Sequence, residues 1–474
     1  MRVVGALFTG GLTLFLVRYL GPDDYGGYAL AISVGGLFLL PMDFGVSRSA
    51  ARFIAERRED AAVVGAVLLS SIRLKAIGSG LGALALAALA TPIASAYGDS
   101  DLEWPLRIVA LAAFAQSFML LFTTVFEALS VNSMGFVIAF AESALEVLSS
   151  LILVLAGAGV AGAVGGRAIG YGAAAIFAAV LTLRAVRTRR APRGDSGLSL
   201  RRIATYAGAL FVIDAAFAAF GYVDILLIGA LLDPRDAGFF SAPAQVLTFA
   251  QYGGLALAAG LGPRLGGEDP DAGSFQMGLR LLLLVQLLVV APVVVWATPI
   301  TNLLFGSDYG ASADVLRALA PYAVLLGPAP MLALSINYLG EARRRIPLAV
   351  GAVALNAAID AVLIPRIGVV AGAIGSDVAF LLFTAGHVVI ARSLIDLDLR
   401  SLGVTLLRTT LAAAAMSGVL FAFGTESLSL AEAVAGSLLG LIAYASVLIV
   451  SREMSRGELR AMWSAVVRVL RPAT

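Results

Sequence analysis

Few side chains in this chain can do chemistry, because 60% of its 474 residues are hydrophobic and 14% are charged. Cysteine is absent and histidine occurs once, as His387. Disulfides, thiolate metal sites and thiol nucleophiles are therefore excluded. What remains is a set of ionisable groups inside long apolar runs. Each costs roughly 2.5 to 3.5 kcal/mol to insert, so it faces a polar cavity or a partner. Arg52 and Arg264 stand 212 residues apart at the ends of two similar segments. Two facing guanidinium groups suit a phosphate or pyrophosphate, since each donates paired hydrogen bonds; as plain surface anchors the same arginines need no ligand. Asp214 and Asp224 share one apolar run, and Asp224 lies about ten residues, or ~15 Å, from the nearest polar turn. It is either a cavity acid that titrates or binds a cation, or a hydrogen-bonded group that fixes packing. Arg18, one turn before Pro22, either lines a cavity or snorkels outward. Glu142 and Glu146 lie on one helix face with Arg167 on the next run, and an ion pair between Glu146 and Arg167 is the simpler account. Asp360, Asp377 and His387 form either an ion-coupling proton relay or ordinary satisfied polar groups.

Enzyme-like strings occur without the context that would give them meaning. Gly157 to Gly162 fits G-x-G-x-x-G, but no strand precedes it. Gly194-Asp195-Ser196-Gly197 looks like a serine-protease string, yet the sole histidine sits in an apolar run far from it. Three D-x-D strings, Asp99/Asp101, Asp269/Asp271 and Asp396/Asp398, lie in short polar turns. Lys75, the single lysine, follows Leu74 rather than a glycine, so there is no Walker A loop. The other basic residues are all arginine, a skew of G+C-rich coding. No enzyme activity, cofactor or metal is expected.

The elements that must position these groups are membrane helices. A mean hydropathy of +0.94 and the low charge content exceed anything usual for a soluble domain. Runs of about 20 apolar residues number fourteen: 1 to 20, 26 to 47, 72 to 96, 105 to 128, 135 to 156, 161 to 183, 203 to 231, 237 to 262, 278 to 304, 313 to 338, 346 to 364, 369 to 391, 404 to 422 and 429 to 451. The first reads as a retained helix rather than a cleaved signal peptide; its flank is short, which leaves open a misplaced start or a missing basic leader. The predicted class is an all-α polytopic membrane protein.

Two strings repeat. Val160-Ala161-Gly162-Ala163-Val164-Gly165 returns as Val370-Ala371-Gly372-Ala373-Ile374-Gly375, and Pro22 to Tyr28 returns as Pro234 to Phe240. The offset maps span one onto span seven and span six onto span twelve. Two six-helix parallel repeats follow, related by an axis along the membrane normal: an N-lobe at 1–195, a C-lobe at 196–395, then two extra spans and a tail at 396–474. The comparison also pairs Glu146 with Asn356 and Arg167 with Asp377. Most arginines gather at the ends after even-numbered spans, including Arg48 to Arg58, Arg184 to Arg202, Arg343 to Arg345 and Arg452 to Arg471; Arg18, Arg107, Arg167, Arg235, Arg317 and Arg366 fall on the other side. By the positive-inside bias both termini are cytoplasmic, with 184 to 202 the linker between lobes. The tail from 452 is either an amphipathic surface helix or plain extension.

From Phe15 through Arg18, Gly21-Pro22-Asp23-Asp24-Tyr25-Gly26 and on to Ala31, the chain resembles the polysaccharide transport family (Wzx-like oligosaccharide flippases) of the MOP flippase superfamily. Asp43-Phe44-Gly45-Val46-Ser47, Ala51-Arg52-Phe53, Val223-Asp224-Ile225 and Leu363 to Gly375 are similar to the same family's segments. The resemblance covers spans one to twelve. It implies two MATE-like lobes around a central cavity lined mainly by helices one, two, seven and eight. It also implies movement of a polyprenyl-linked oligosaccharide from inner to outer leaflet by alternating access, for surface polysaccharide or glycoprotein synthesis. Its phosphate would fall to Arg52 and Arg264. Expected partners are lipid-linked oligosaccharide, membrane lipids and glycosyltransferases or a polymerase of the same pathway, with no nucleic acid, in the cell membrane. The alternative within the superfamily is a cation-coupled multidrug or metabolite antiporter, which would use Asp214 and Asp224.

Overall fold

The computed structural model describes residues 2–187, 200–265 and 271–454. The interlobe linker and the tail therefore lie largely outside the described residues, as does any amphipathic helix in the tail. Among the described residues the only regular structure is helical. Ten stretches are long and apolar enough to cross a membrane. That number does not establish the expected fourteen, because two stretches each join a pair of expected spans. The first is α1, Arg2–Asp43, 42 residues long. Unbroken it would run ~63 Å, twice the hydrocarbon thickness. It breaks at Gly21 (φ 74°), a left-handed conformation glycine adopts freely, and Pro22 then opens the next helix without needing its missing N–H. The second holds α5 (Asn132–Leu153) and α6 (Gly159–Arg187), separated by a π-type turn with Gly157 at φ 89° and Gly159 at φ 49°.

Contacts gather the described chain into two units, residues 1–246 with 346–379, and residues 247–345 with 380–474. The first takes helices from both sides of the expected lobe boundary. It contains α1, α2 (Val46–Glu56), α3 (Ala61–Ala96), α4 (Glu103–Ala128), α5, α6, α7 (Leu200–Leu231), most of α8 (Pro234–Leu247), α15 (Ile346–Ile367) and the start of α16 (Val370–Arg392). Its turns sort to two ends. Asp23, Gly98, Asp99, Ala158, Val160 and Arg235, from four different turns, line one cavity, while Arg58 of the α2–α3 turn bonds Ser130 of the α4–α5 turn at 3.1 Å. Successive helices thus alternate in direction, and the break at Gly21 is one of the first set of turns. A core of Ala50, Phe53, Val64, Leu68, Leu121 and Phe126 ties α2 to α3 and α4.

The second unit contains α9 (Gln251–Leu261), α10 (Ala272–Val295), α11 (Ala297–Leu304), α12 (Gly310–Ala318), α13 (Ala320–Leu325), α14 (Pro328–Tyr338), the rest of α16, α17 (Leu399–Ala422) and α18 (Leu430–Val450). Trp296 donates to the carbonyls of Leu420 (3.2 Å) and Gly424 (3.1 Å), and Tyr444 to that of Leu284 at 2.7 Å. These bonds satisfy large side chains in the core that joins α10 to α17 and α18.

Candidate functional site

Helix α15 places Asn356 and Asp360 four residues apart on one buried face, both 0% exposed. The next helix, α16, follows a turn at Gly368 (φ 73°) and packs against that face through Gly375. A Cβ there would fall 2.1 Å from Asp360 Oδ1 and 2.8 Å from Asn356 Oδ1. Small residues at such positions let membrane helices approach closely. Asp224 enters from α7. Its carboxylate accepts from Asn356 Nδ2 and Ser376 Oγ, both at 2.6 Å, and it interacts electrostatically with the carboxyl of Asp360. Among the described residues, Asn356 Oδ1 and both Asp360 oxygens have no hydrogen-bond donor other than a proton shared between the Asp360 and Asp224 carboxyls. Buried oxygens in that state call for an explanation. Two carboxyl groups beside each other in a water-poor interior need a compensating positive charge, either a shared proton or a bound cation. Among the described residues, no arginine or lysine is a hydrogen-bond partner of either.

The equivalent helices α5 and α6 hold a different arrangement. Arg167 pairs with Glu146 at 3.1 Å, donates to Tyr171 Oη at 3.1 Å, and lies over the Tyr171 ring. Glu142 lies beside this pair and accepts from Ser143 at 3.0 Å. The ion pair expected from the sequence is present.

A third buried network went unrecognised in the sequence. Lys75, in the middle of α3 and 0% exposed, donates to the Asp43 carboxylate and, at 2.8 Å each, to the carbonyl and hydroxyl of Ser117. Ser47 donates to the same Asp43 oxygen at 2.6 Å, and Ser79 bonds Ser117 at 2.8 Å. Asp43 is placed by the turn between α1 and α2, where Phe44 (φ 42°) and Gly45 (φ 70°) are both left-handed. The signal was available: a lone amine in the middle of an apolar run requires an anion.

The remaining expected residues are placed as follows. Arg52 is exposed and bonds Glu56 on the next turn of α2 at 2.9 Å. Arg264 is exposed and lies 3.9 Å from Asp271. Hydrogen bonds from Ser274 at the N-terminus of α10 hold the Asp271 carboxyl below the usual carboxylate range, so it remains an anion. Each arginine thus has a carboxylate on its own segment. Such exposed pairs contribute little to stability. Arg18 is exposed on α1. Asp214 lies on α7, with its side chain outside the described residues. Of the three relay candidates, only Asp360 joins the Asp224 cluster. Asp377 is half-buried. His387 accepts from Arg345 Nε at 3.2 Å through Nε2, and its Nδ1 lies 2.7 Å from the Phe383 carbonyl. A ring that accepts at one nitrogen and donates at the other is neutral. Arg345 itself, which the charge pattern groups with surface anchors, is buried and also donates to Asn337 at 2.7 Å.

The profile of a family described as polysaccharide biosynthesis protein matches residues 3–265. The chain belongs to this family, within the MOP flippase superfamily. No curated protein matches the chain significantly by sequence. Among solved structures, this MOP family member is similar to the lipid II flippase MurJ in an inward closed conformation, with a TM-score of 0.75, 12% identity, and coverage of 95% of this chain and 98% of the other. An inward-facing multidrug resistance MATE transporter of the MOP superfamily aligns with a TM-score of 0.65, 15% identity, and coverage of 82% and 95%. The eukaryotic MATE transporter AtDTX14 aligns with a TM-score of 0.59, 14% identity, and coverage of 82% and 92%. At these identities the likeness shows the fold. The protein is thus a multi-pass membrane protein with the MOP transporter fold.

Proposed function

We propose that this protein flips a polyprenyl-phosphate- or pyrophosphate-linked oligosaccharide from the inner to the outer leaflet of the cell membrane, for surface polysaccharide or glycoprotein synthesis. Cation or proton uptake at Asp224 and Asp360 drives the cycle. Family membership supports the cargo class, and the first solved relative is by its description a lipid II flippase. The observation that supports the coupling is the pair of buried carboxyls on α7 and α15, with no arginine or lysine donating to either among the described residues. Coupling alternating access to an ion requires a group that binds the proton or cation with different affinity in the inward- and outward-open forms. A buried, uncompensated carboxyl pair has that property; a neutralised pair such as Glu146 with Arg167 does not.

The cargo phosphate is assigned to Arg52 and Arg264, on the ground that the repeat makes them equivalent and that arginine recognises phosphate oxygens in pairs. Both termini are assigned to the cytoplasm on the distribution of arginine. A second reading, a cation-coupled antiporter of drugs or metabolites, is favoured by the same Asp224 cluster, because coupling by itself does not specify cargo. Flipping of a fluorescent polyprenyl-pyrophosphate oligosaccharide in liposomes separates the two. Wild type is expected to flip it, and Arg52→Ala with Arg264→Ala to slow it by about tenfold or more, the loss expected for hydrogen bonds to a charged group. Normal flipping in the double variant removes the phosphate role of the arginines. Failure of wild type to flip any such lipid, with cation-dependent efflux of small molecules, establishes the antiporter.

A further inference from the structure

In the second unit a cavity of about 610 Å³ opens at the adjoining ends of α10, α17 and α18. Arg280, Arg400, Arg408 and Arg452 line it, against Asp398 and Glu453. Both acids are already engaged. Asp398 caps α17, accepting from the Ser401 N–H at 3.0 Å. Glu453 is 5% exposed and accepts from Thr405 Oγ1 at 2.7 Å, Arg280 Nε at 2.8 Å and Arg408 Nη1 at 3.1 Å. Burial alone would raise the Glu453 pKa, but these bonds outweigh it and hold the group below its ordinary value. Glu453 is therefore an anion whose work is to fix two guanidinium groups in place. Four arginines against two acids leave a formal surplus of two positive charges in the cavity.

The geometry grades inward. Arg400 and Arg452 are exposed at the rim, and Arg452 is held there at φ 58°, immediately after α18. Arg280 lies eight residues inside α10, ~12 Å from its start. Past it on both sides α10 presents Met277, Leu281, Val285 and Val289 as exposed apolar side chains four residues apart, a stripe ~18 Å long. Met277 belongs both to this stripe and to the cavity lining. A cationic basin at the end of membrane helices, continuous with an apolar stripe of acyl-chain length, matches one kind of molecule.

We infer that this cavity binds the anionic headgroup of a bilayer phospholipid, its phosphate held by Arg400 and Arg452 at the rim and by Arg280 and Arg408 below, with an acyl chain along α10. Basic pockets between membrane helices serve this purpose. The site is separate from the proposed cargo residues, and it explains why Glu453 is spent on orienting arginines.

Native mass spectrometry of the full chain in detergent, with phosphatidylglycerol, phosphatidylcholine or inorganic phosphate added, tests this. Wild type is expected to retain phosphatidylglycerol on the order of tenfold better than phosphatidylcholine, since each arginine near a membrane surface contributes about fivefold toward an anionic lipid. Arg400→Gln with Arg452→Gln is expected to abolish the preference without touching the Glu453 network. Arg400→Lys with Arg452→Lys should retain most of it, and Arg343→Gln with Arg344→Gln, outside the cavity, all of it. Equal retention of both lipids by wild type, or an unchanged preference in the Gln variant, overturns the inference. So does inorganic phosphate displacing phosphatidylglycerol at millimolar concentration, which would mark a site for free phosphate.

Discussion

In the α5–α6 hairpin Arg167 closes onto Glu146 at 3.1 Å. In the α15–α16 hairpin, 210 residues further on, Asn356 stands where Glu146 does, Asp360 where Ser150 does, and Asp377 where Arg167 does. Both hairpins pack through a small residue in the second helix. A Cβ at Gly166 would fall 2.2 Å from Ser150 Oγ, as one at Gly375 would fall 2.1 Å from Asp360 Oδ1. Both hairpins are thus closely packed, while their chemistry differs. The first hairpin sets Arg167 directly against Glu146, with Glu142 beside the pair. The second brings one carboxyl, an amide and a hydroxyl to Asp224, and in the proposed cycle the balancing charge is a proton or cation. A buried ion pair does not by itself argue for stability, but half of one is costly, and that asymmetry gives the comparison its tests.

The largest effect is expected from Arg167→Ala, which strands Glu146 beside Glu142 in the bundle. Loss of a buried partner costs about 3–5 kcal/mol, to be read as a fall in thermal midpoint in detergent. A loss under about 1 kcal/mol would mean that this hairpin is solvated rather than self-neutralised. Adding Glu146→Gln to Arg167→Gln should recover part of the loss, because the stranded charge is then gone, and a double-mutant cycle measures the coupling. Next comes Gly375→Ala, whose methyl group must push Asp360 aside. A stability cost of about 1–3 kcal/mol is expected together with slowed flipping, whereas Gly351→Ala on α15, where a Cβ meets nothing within 4 Å, should change neither. The smallest structural effect belongs to Asp360→Asn. It accepts from no amide, hydroxyl or backbone group among the described residues, and an asparagine can still donate to Asp224, so the thermal midpoint should hold or rise while transport falls. A large drop in midpoint instead would show that Asp360 is a packing group like Glu146.

These two hairpins also mark what the sequence can and cannot convey. Glu146 and Arg167 are 21 residues apart on adjoining antiparallel helices, so helix periodicity and a single turn bring them together on paper. Asp224 meets Asn356 and Ser376 across 132 and 152 residues, and no local rule pairs α7 with α15. The repeat did identify the positions where the halves differ, and the breaks at Gly21 and Gly157 fall where hydropathy and glycine place them. Compositional skew accounts for the rarity of Lys75, but only the fold shows that Asp43 and Ser117 hold the amine inside an apolar helix. His387 drew notice for being the only histidine, but Arg345 and a carbonyl satisfy it. Arg345 was grouped with two exposed neighbours, and nothing in a run of three arginines tells which one turns inward.

In the proposed cycle the second hairpin, and not the first, takes up the charge that drives transport. Liposomes with imposed sodium or proton gradients, a fluorescent polyprenyl-pyrophosphate oligosaccharide and either wild type, Asp360→Asn or the Glu146→Gln, Arg167→Gln pair test it most directly. Flipping by wild type should accelerate with one of the two gradients. Asp360→Asn should flip at a rate indifferent to both, and the Glu146, Arg167 variant should keep the gradient response of wild type. A gradient response that survives in Asp360→Asn, or one that disappears only when Glu146 and Arg167 are replaced, would contradict the account.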